Sequence, residues 1–339
     1  MMDSMDSDEA GFDVLDRRLT HALMIDGRAA FSRIAAVLDT TDQTVIRRYR
    51  RLRGAGLLRV LGLPVAERVG LFESRLRIQC APGAAVAIAE SLARRPDTGW
   101  VKIFSGGTEV GCLLASRTRE DHETLLLRKL PRTHQVTGVS AQSMLHRFPA
   151  DPVRWLGGDG LDEEQIRALT PPPGTGPSDD LLRLDAQDHA MLAVLGRDGR
   201  TGYPELARAT GRSESTVRRR LEQLRRAGAL EFHVEVLPRH LGYQTEAGIH
   251  ATVAPGDLAE AGRALAAHPQ VPFAAATTGA ANLAATVLCR DERDLYRYMT
   301  EGIGGLHAVQ QLEVLPVLRH VKRAGLLSDG NRLHEPPLS

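Results

Sequence analysis

The sequence predicts an α+β protein made of two copies of one unit. Each unit comprises a winged helix-turn-helix domain of three helices, followed by a βαββαβ domain of ferredoxin-like topology. Three observations support this prediction: an internal repeat without gaps, apolar residues at helical spacing early in each copy, and apolar residues alternating at strand spacing later in each copy. The length of 339 residues is ample for several domains.

The internal repeat is clearest in one basic stretch. Residues 198–228 align with residues 26–56 without a gap, and 12 of the 31 positions are identical. Both stretches begin with Asp-Gly-Arg and end with Ala-Gly. Further along, the two βαββαβ regions align at an offset of 173 residues, which places Thr278-Gly279 on Ser105-Gly106. We therefore interpret the chain as a tandem duplication.

Each copy is expected to open with three short helices. In copy one the Asp-Gly-Arg turn at 26–28 ends the first helix. Thr41 and Ser213 are well placed to cap the third helix of their copies, because a hydroxyl oxygen there accepts a hydrogen bond from a free backbone N–H group. A strand is expected after each third helix, over residues 57–63 and 229–236.

The remaining elements and the domain boundaries follow from apolar alternation and from Pro and Gly clusters. In copy one the predicted βαββαβ elements are a strand through 76–80, a helix over 82–95, strands over 100–104 and 110–115, a helix over 118–130 and a strand over 136–145. In copy two they are a strand through 247–253, a helix over 256–267, strands over 273–278 and 283–289, a helix over 291–301 and a strand over 309–318. The predicted domains are a disordered acidic tail over 1–12, a first helix-turn-helix domain over 13–63, a first ferredoxin-like domain over 70–148, a linker with a short helix over 149–183, a second helix-turn-helix domain over 184–238, a second ferredoxin-like domain over 243–323 and a tail over 324–339.

Charge is distributed unevenly along the chain. The formal net charge is +1, but residues 15–60 carry ten Arg and four Asp, and residues 187–232 carry nine Arg and six acidic residues. Basic modules in a nearly neutral chain indicate a polyanionic partner. The acidic N-terminus is unlike a signal peptide, and no apolar run reaches the ~20 residues of a spanning helix, so we expect a cytoplasmic protein without membrane contact. The three cysteines lie far apart and are expected to be buried and reduced; no metal site or cofactor is expected.

The third helix of each copy carries the candidate DNA contacts. Its apolar residues face inward, which leaves hydroxyl and guanidinium groups on its other faces. A helix of this width fits the major groove, with its N-terminal residues at base edges and flanking arginines on phosphates. The candidate DNA-binding residues are Thr41, Gln43, Thr44, Arg47, Arg48, Arg51, Ser213, Ser215, Thr216, Arg218, Arg219 and Arg220. The alternative is the solvated basic face of an ordinary three-helix domain, but the duplication of cap, turn and arginines favours double-stranded DNA.

These features together resemble the Lrp/AsnC (feast/famine) family of transcriptional regulators. The resemblance rests on the two Asp-Gly-Arg turns, on Thr-Val at 44–45 and 216–217, and on a hairpin at 278–282 that is similar to the family's Thr-Gly-x-x-Asp. It implies a non-enzymatic, nucleoid-associated regulator whose βαββαβ domains form homo-oligomers and sense an amino acid or another small metabolite. The effector-binding residues that it implies are Ser105, Gly106, Gly107, Glu109, Thr278, Gly279 and Asn282.

The sequence departs from the family pattern in two respects. A typical member is a single unit that dimerises, whereas this chain fuses two units. The third helices also begin differently, with Asp42-Gln43 in copy one and Glu214-Ser215 in copy two, so we expect an asymmetric operator. In the effector hairpins the family's Asp is replaced by Glu109 and Asn282, which weakens the case for a free amino acid at the second site.

Two other functions remain open at this point. Siroheme decarboxylases resemble the same architecture, and an enzyme of that type would need degraded third helices and His and Arg clustered on the βαββαβ sheet, where the sequence offers little beyond His250. The second is a regulator that acts mainly through protein contacts, in which only the more basic first copy binds DNA.

Overall fold

The computed structural model describes residues 12–150, 160–172 and 181–335. The predicted tail over 1–11 and parts of the predicted linker therefore lie outside the described residues. Phe12 does not belong to a disordered tail, because it is buried and stacks on His240 with ring centroids 6.1 Å apart. In the described part of the chain, no helix is long and apolar enough to cross a bilayer.

The secondary structure follows the predicted duplication. The elements of copy one are α1 (Val14–Ile25), α2 (Phe31–Val37), α3 (Asp42–Gly54), β1 (Leu58–Pro64), α4 (Ala66–Val69), β2 (Phe72–Cys80), α5 (Ala85–Ala93), β3 (Thr98–Phe104), β4 (Glu109–Ser116), α6 (Arg119–Glu123, continued by a π-helical turn Thr124–Lys129) and β5 (Val136–Phe148). The linker contains α7 (Glu163–Leu169). The elements of copy two are α8 (Ala186–Leu195), α9 (Tyr203–Thr210), α10 (Glu214–Arg226), β6 (Leu230–Val236), β7 (Thr245–Val253), α11 (Leu258–Ala266), β8 (Phe273–Thr277), β9 (Leu283–Cys289), α12 (Glu292–Arg297, continued by a π-helical turn Tyr298–Ile303), β10 (Val309–His320), β11 (Lys322–Arg323), β12 (Leu326–Ser328) and β13 (Leu333–His334).

The wings of the two helix-turn-helix domains pair with each other. Strands β1 and β6 form a two-stranded antiparallel sheet in which Leu61 is the partner of His233. These two residues are equivalent in the repeat, since they differ by its offset of 172 positions. A residue that pairs with its own equivalent lies on a local two-fold axis, so the two helix-turn-helix domains are related by a two-fold rotation.

The two βαββαβ domains close into one eight-stranded barrel, with strand order β10-β3-β4-β2-β5-β8-β9-β7. The two seams are equivalent: Met144 pairs with Thr277 in one, and Val317 pairs with Phe104 in the other. Each seam also has a register shift at the same position of its long strand. The helices cover the outside of the barrel, where they pack on apolar residues of both sheets. One chain thus contains two copies of the unit in a symmetric arrangement.

The barrel interior breaks this symmetry. Gly248 is the copy-two equivalent of Arg75, and a Cβ atom added there would lie 3.4 Å from Nη2 of Arg75 and 3.3 Å from the ring of Phe104. The Phe104 ring also lies over Gly111, where an added Cβ would be 2.4 Å from it. Large side chains of copy one therefore fill space that glycines leave free, and the two halves are complementary to each other.

Two segments outside the repeat pack on the folded core. In the linker, α7 docks on the first helix-turn-helix domain: Leu169 is buried in that core, and Nε2 of Gln165 donates to the carbonyl of Val37 at 2.7 Å. The residues predicted as a C-terminal tail form β12, which pairs with β11, and β13, which pairs with β12. Leu326 and Leu333 are buried there beside Leu61, so apolar residues within the tail explain its order.

Candidate nucleic-acid interface

The third helices, α3 and α10, begin as the sequence predicts. The hydroxyl oxygen of Thr41 accepts a hydrogen bond from the backbone N–H of Thr44 at 3.2 Å, and that of Ser213 accepts one from Thr216 at 3.3 Å. Thr44 and Thr216 each contribute a second hydroxyl to these caps. The N-terminal end of each helix therefore presents two hydroxyl groups and free backbone N–H groups, which can hydrogen-bond to phosphate oxygens.

Part of the candidate set is exposed on these helices. Arg47 and Arg219 are equivalent in the repeat, both are exposed, and neither has an ion-pair partner among the described residues. The side chains of Gln43 and Ser215 are also exposed. Arg218 is exposed as well, with its guanidinium 4.5 Å from the ring centroid of Tyr203. The exposed face of each third helix therefore carries hydrogen-bond donors in both copies.

Three candidate arginines are instead held by the first helix of their own domain. In α1 the carboxylate of Asp16, which is fully buried, accepts from Arg48 at 3.0 Å and also contacts Arg51. In copy two the equivalent buried Asp188 pairs with Arg220 at 2.6 Å. These arginines brace the third helix against the first, which leaves them less free to contact DNA than the sequence alone indicates.

The electrostatics of Asp188 reflect this brace. Burial by itself raises the pKa of the carboxyl group, but hydrogen bonds from Arg220 and from the backbone N–H of Asp185 outweigh it. The pKa of Asp188 is lowered as a result. The charged pair Asp188–Arg220 is therefore the stable state of this site at neutral pH.

The two Asp-Gly-Arg turns hold the two helix-turn-helix domains together. Arg28 donates to the backbone carbonyls of Gly199 (2.6 Å) and Thr201 (3.1 Å) in the other copy. Arg200 returns the same contact, donating to Gly27 (2.6 Å) and Ala29 (2.9 Å). The two arginines thus cross the local two-fold axis in opposite directions. They fix the relative position of the third helices α3 and α10, which are called the recognition helices below.

The Asp and Gly residues of each Asp-Gly-Arg turn also help to join the two helix-turn-helix domains. Arg225 pairs with Asp26 at 3.0 Å, and Arg53 pairs with Asp198 at 2.9 Å, so each third helix is tied to the turn of the other domain. The glycine permits close approach: a Cβ added at Gly199 would lie 2.9 Å from the backbone of β1. Each residue of the triplet therefore has a structural reason to be retained in both copies.

The second candidate effector hairpin uses its side chains internally. Asn282 accepts from the backbone N–H of Val253 at 2.9 Å and donates to its carbonyl at 2.8 Å. Thr278 exchanges two hydrogen bonds with the backbone of Ser143 on β5. Gly279 has a φ of +102° in this turn. The predicted polar contacts of this hairpin are thus occupied by backbone partners.

The first hairpin, Ser105–Gly107, borders a groove of 360 Å³. Gly106 and Gly107 have φ angles of +76° and +78°, and both line the groove together with Val86 and Leu318. Glu109, the acidic residue predicted to bind an effector here, is not a free carboxylate, because Arg77 pairs with it at 2.7 Å. Arg77 also pairs with Glu313 of the second half at 2.7 Å.

The barrel interior collects more basic and imidazole groups than we expected from the sequence. His250 is buried there and Arg75 is half-buried, and Nη1 of Arg75 and both ring nitrogens of His250 have no hydrogen-bond partner within the described structure. Burial, together with the nearby Arg75 and Arg77 charges, lowers the pKa of His250 to about 2. Barrel closure brings the inward positions of both halves together, and this places Arg75 and Arg77 of copy one near His250 of copy two.

Over the described ranges, no group of three or more His, Cys, Asp or Glu side chains is placed to hold a metal ion. The three cysteines are buried and unpaired, and burial raises the pKa of Cys112 to about 12. They act as small apolar core residues.

Comparison with known proteins supports the duplicated architecture. The family model for the AsnC-type helix-turn-helix domain matches residues 12–53 and again 184–225, and the model for the Lrp/AsnC ligand binding domain matches residues 246–327. An uncharacterized HTH-type transcriptional regulator of Pyrococcus abyssi is 32% identical over 145 residues, which cover 42% of this chain and 91% of that protein. The chain belongs to the Lrp/AsnC family. A similar regulator of Pyrococcus horikoshii is 30% identical over 152 residues, covering 44% of this chain and 96% of the relative.

This Lrp/AsnC-family chain is thus about twice as long as these two relatives, in agreement with the intramolecular pairing of its domains. A solved structure with the same overall arrangement is the siroheme decarboxylase NirDL, with a TM-score of 0.62, 13% identity and coverage of 92% of this chain and 93% of that chain. At this identity the likeness concerns the fold.

Sequence reasoning missed the contacts that join the copies. The signal was present, since both Asp-Gly-Arg triplets are identical while most exposed positions differ. The sequence identified the triplet as a turn but could not show that Arg28 and Arg200 contact the opposite copy. Asp16 and Asp188 belong to the pattern that the resemblance matched, but their pairing with Arg48 and Arg220 was missed for the same reason, because these partners lie 32 positions away.

Proposed function

We propose that the protein is a sequence-specific, DNA-binding transcriptional regulator and not an enzyme. The observation that carries the proposal is the pair of third helices, related by a local two-fold axis, that expose Arg47 and Arg219 at equivalent positions. Each third helix enters the major groove, with Gln43 or Ser215 at base edges and arginines on the backbone. A single chain thus supplies both DNA-binding domains, and we expect it to associate with the DNA of the nucleoid.

Fluorescence anisotropy with the DNA upstream of the protein's own gene tests this proposal. We expect binding that resists competitor DNA and an affinity that falls steeply as salt rises, because each phosphate contact releases counterions. Arg47→Ala and Arg219→Ala each weaken binding if both copies contact DNA. If only Arg47→Ala does, copy one is the DNA-binding module and copy two serves protein contacts. Loss of even salt-sensitive nonspecific binding in the wild type contradicts the proposal.

The groove beside Gly106 and Gly107 is the proposed effector site. It is open, it is lined by apolar Val86 and Leu318, and Arg319 provides a charged group at its edge. This combination suits an amino acid or another small metabolite with an apolar part and an anionic group. The measurement is DNA binding with and without single amino acids, using Val86→Trp to block the groove; an amino acid that acts equally on both proteins binds elsewhere.

Exposed leucines support assembly of several chains. Leu145 and Leu318 are equivalent residues on the long strands β5 and β10, and they are 58% and 67% exposed. Two leucines at matching positions form a repeated apolar contact suited to a homo-oligomer. Light scattering should show a mass above one chain for the wild type and a decrease for Leu145→Asp with Leu318→Asp. A wild type that is already a single chain would rule out this contact.

A tetrapyrrole enzyme is the second candidate, favoured by the half-buried Arg75 and the buried His250 in the barrel. The intact caps and exposed arginines of α3 and α10 favour the regulator instead, since catalysis in the barrel does not need them. Absorbance titration with an iron uroporphyrin separates the two functions. A saturable change in the tetrapyrrole spectrum that His250→Ala abolishes supports the enzyme, and an unchanged spectrum leaves the regulator.

A further inference from the structure

A basic cleft lies between the first helix-turn-helix domain and the turn of the second. Its volume is about 660 Å³, and it opens to solvent. The wall from copy one is formed by the C-terminal half of α3 and by β1, including Tyr49, Arg50 and Arg59. The opposite wall is formed by the Asp-Gly-Arg turn of copy two, with Asp198 and Arg200, and the exposed Glu335 also lines the cleft. This cleft is separate from the N-terminal end of α3, which carries the candidate base contacts.

The positive charge of the cleft is only partly compensated. Of its four arginines, Arg53 is paired with Asp198, and Arg200 is bound to backbone carbonyls and lies 4.1 Å from the ring centroid of Phe31. Arg50 is exposed and has no carboxylate partner in the described ranges. Arg59 donates to main-chain carbonyls, and its Nε is buried without a partner. The charge of Glu335 acts on Arg59, but Glu335 forms no ion pair with Arg50 or Arg59 among the described residues. The guanidinium of Arg50 and the remaining donors of Arg59 are therefore available for an anion.

The second copy lacks this feature. The residues equivalent to Arg50 and Arg59 are Glu222 and Glu231, and Glu222 is already paired with Arg226 at 3.0 Å. The same place on copy two thus carries acidic groups where copy one carries arginines. A basic surface required by the fold, or by DNA contact common to both copies, would be present twice. Its presence in one copy indicates a separate binding role.

We propose that the cleft binds a phosphate group, with Arg50 and Arg59 as its contacts. Guanidinium groups suit phosphate because they donate two parallel hydrogen bonds and keep their charge at any physiological pH. The aromatic ring of Tyr49 and the side chain of Ile46 give the cleft an apolar wall, so a phosphorylated molecule with an organic part fits it better than a bare ion. Since both modules line the cleft, its occupant links the two helix-turn-helix domains.

Isothermal titration of the full chain with inorganic pyrophosphate tests the site directly and does not depend on the regulator function. We expect one binding site per chain, and we expect Arg50→Glu with Arg59→Glu, which installs the copy-two residues, to weaken it by about tenfold or more. The matched control is Arg208→Glu with Arg263→Glu, two exposed arginines elsewhere, which changes the net charge equally. Absence of saturable binding to the wild type, or equal loss in the control, overturns the proposal.

Two further measurements complete the test. If the glutamate variant does not fold by circular dichroism, Arg50→Gln with Arg59→Gln replaces it, and retained pyrophosphate binding in that folded protein overturns the proposal. DNA titration of the same variants identifies the source of the phosphate. A DNA affinity that falls below that of the control assigns the cleft to a backbone phosphate of DNA, whereas an affinity equal to the control assigns it to a free phosphorylated molecule.

Discussion

At the scale of single residues, neighbouring arginines on one helix have separate functions. Arg219 is exposed, whereas the next residue, Arg220, reaches back to the buried carboxylate of Asp188 at 2.6 Å. Copy one repeats this division with Arg47 and Arg48. One of each pair therefore keeps the recognition helix in place, and the other is available to DNA.

Substitution should separate these functions. Arg220→Ala leaves the buried Asp188 carboxylate with the weaker support of Arg212, so we expect a loss of about 2–3 kcal/mol in the free energy of unfolding. Arg219→Ala should change that free energy by less than about 0.5 kcal/mol and weaken DNA binding. Urea unfolding and DNA anisotropy of both variants provide the measurement. Equal stability of the two variants would show that the buried pair does not brace the helix.

At the scale of elements, close contact between turn and strand sets the geometry of the DNA-binding domains. The turn at Gly199 lies against β1, and its backbone N–H donates to the carbonyl of Val60 at 2.7 Å. A methyl group at this position meets backbone atoms, which cannot move aside as a flexible side chain can. The wing sheet and the crossing arginines therefore depend on this glycine.

Gly199→Ala should accordingly destabilise the protein by about 1–3 kcal/mol. The matched control is Gly54→Ala, because Gly54 ends α3 with open space around it and an ordinary φ. That control should be neutral or more stable by up to about 1 kcal/mol, since alanine favours a helix. Urea unfolding of both proteins tests this. If Gly199→Ala is as stable as Gly54→Ala, the turn does not pack as tightly as described.

A second link at this scale joins the wing to the barrel. Arg323 contacts Glu235 on β6 and lies 3.3 Å from Glu246 on β7. Burial raises the pKa of Glu235, but the charge of Arg323 and a hydrogen bond from His233 reverse this effect and lower the pKa to about 2. A wing displaced by DNA would therefore disturb a charged contact with the barrel.

The pH dependence of stability follows from the sign of this shift. The pKa of Glu235 in the folded state lies below its ordinary value of 4.5, so its contribution is fully present above that pH and is lost as the pH falls toward 2. Glu235→Gln should lower the free energy of unfolding at neutral pH and flatten its decline in acid. Urea unfolding from pH 7 to 3 measures both effects. Glu231→Gln, an exposed change on the same strand, should keep the wild-type profile.

At the scale of the whole molecule, the sequence predicts the elements of each copy and leaves the pairing of the copies open. Periodicity predicted the strands and third helices because each pattern is local. It could not show that β5 joins β8 or that Leu61 pairs with His233, since these contacts span the two copies. Within the candidate site, the sequence identified Arg47 and Arg219, which are exposed in the structure. It did not show that Arg48 and Arg220 pair with a buried Asp, because sequence spacing does not reveal that contact.

Fusion of two units allows the DNA-binding domains to differ while their spacing stays fixed. The crossing contacts of Arg28 and Arg200 are nearly symmetric, whereas the first residues of the recognition helices differ, with Gln43 exposed in one and Ser215 in the other. A glutamine side chain donates and accepts at an adenine edge, and a serine hydroxyl makes a shorter contact that tolerates more bases. Two half-sites bound in this way should therefore differ in sequence.

We thus expect site selection from random DNA to return an asymmetric operator, with one half-site more strictly defined than the other. Gln43→Ser should relax the stricter half by about 1–3 kcal/mol per contacted base pair and leave the other half unchanged. Ser215→Ala is the control in copy two and should affect only the opposite half. Perfectly palindromic selected sites would contradict this expectation, because two different helices would then have to bind identical half-sites with equal preference.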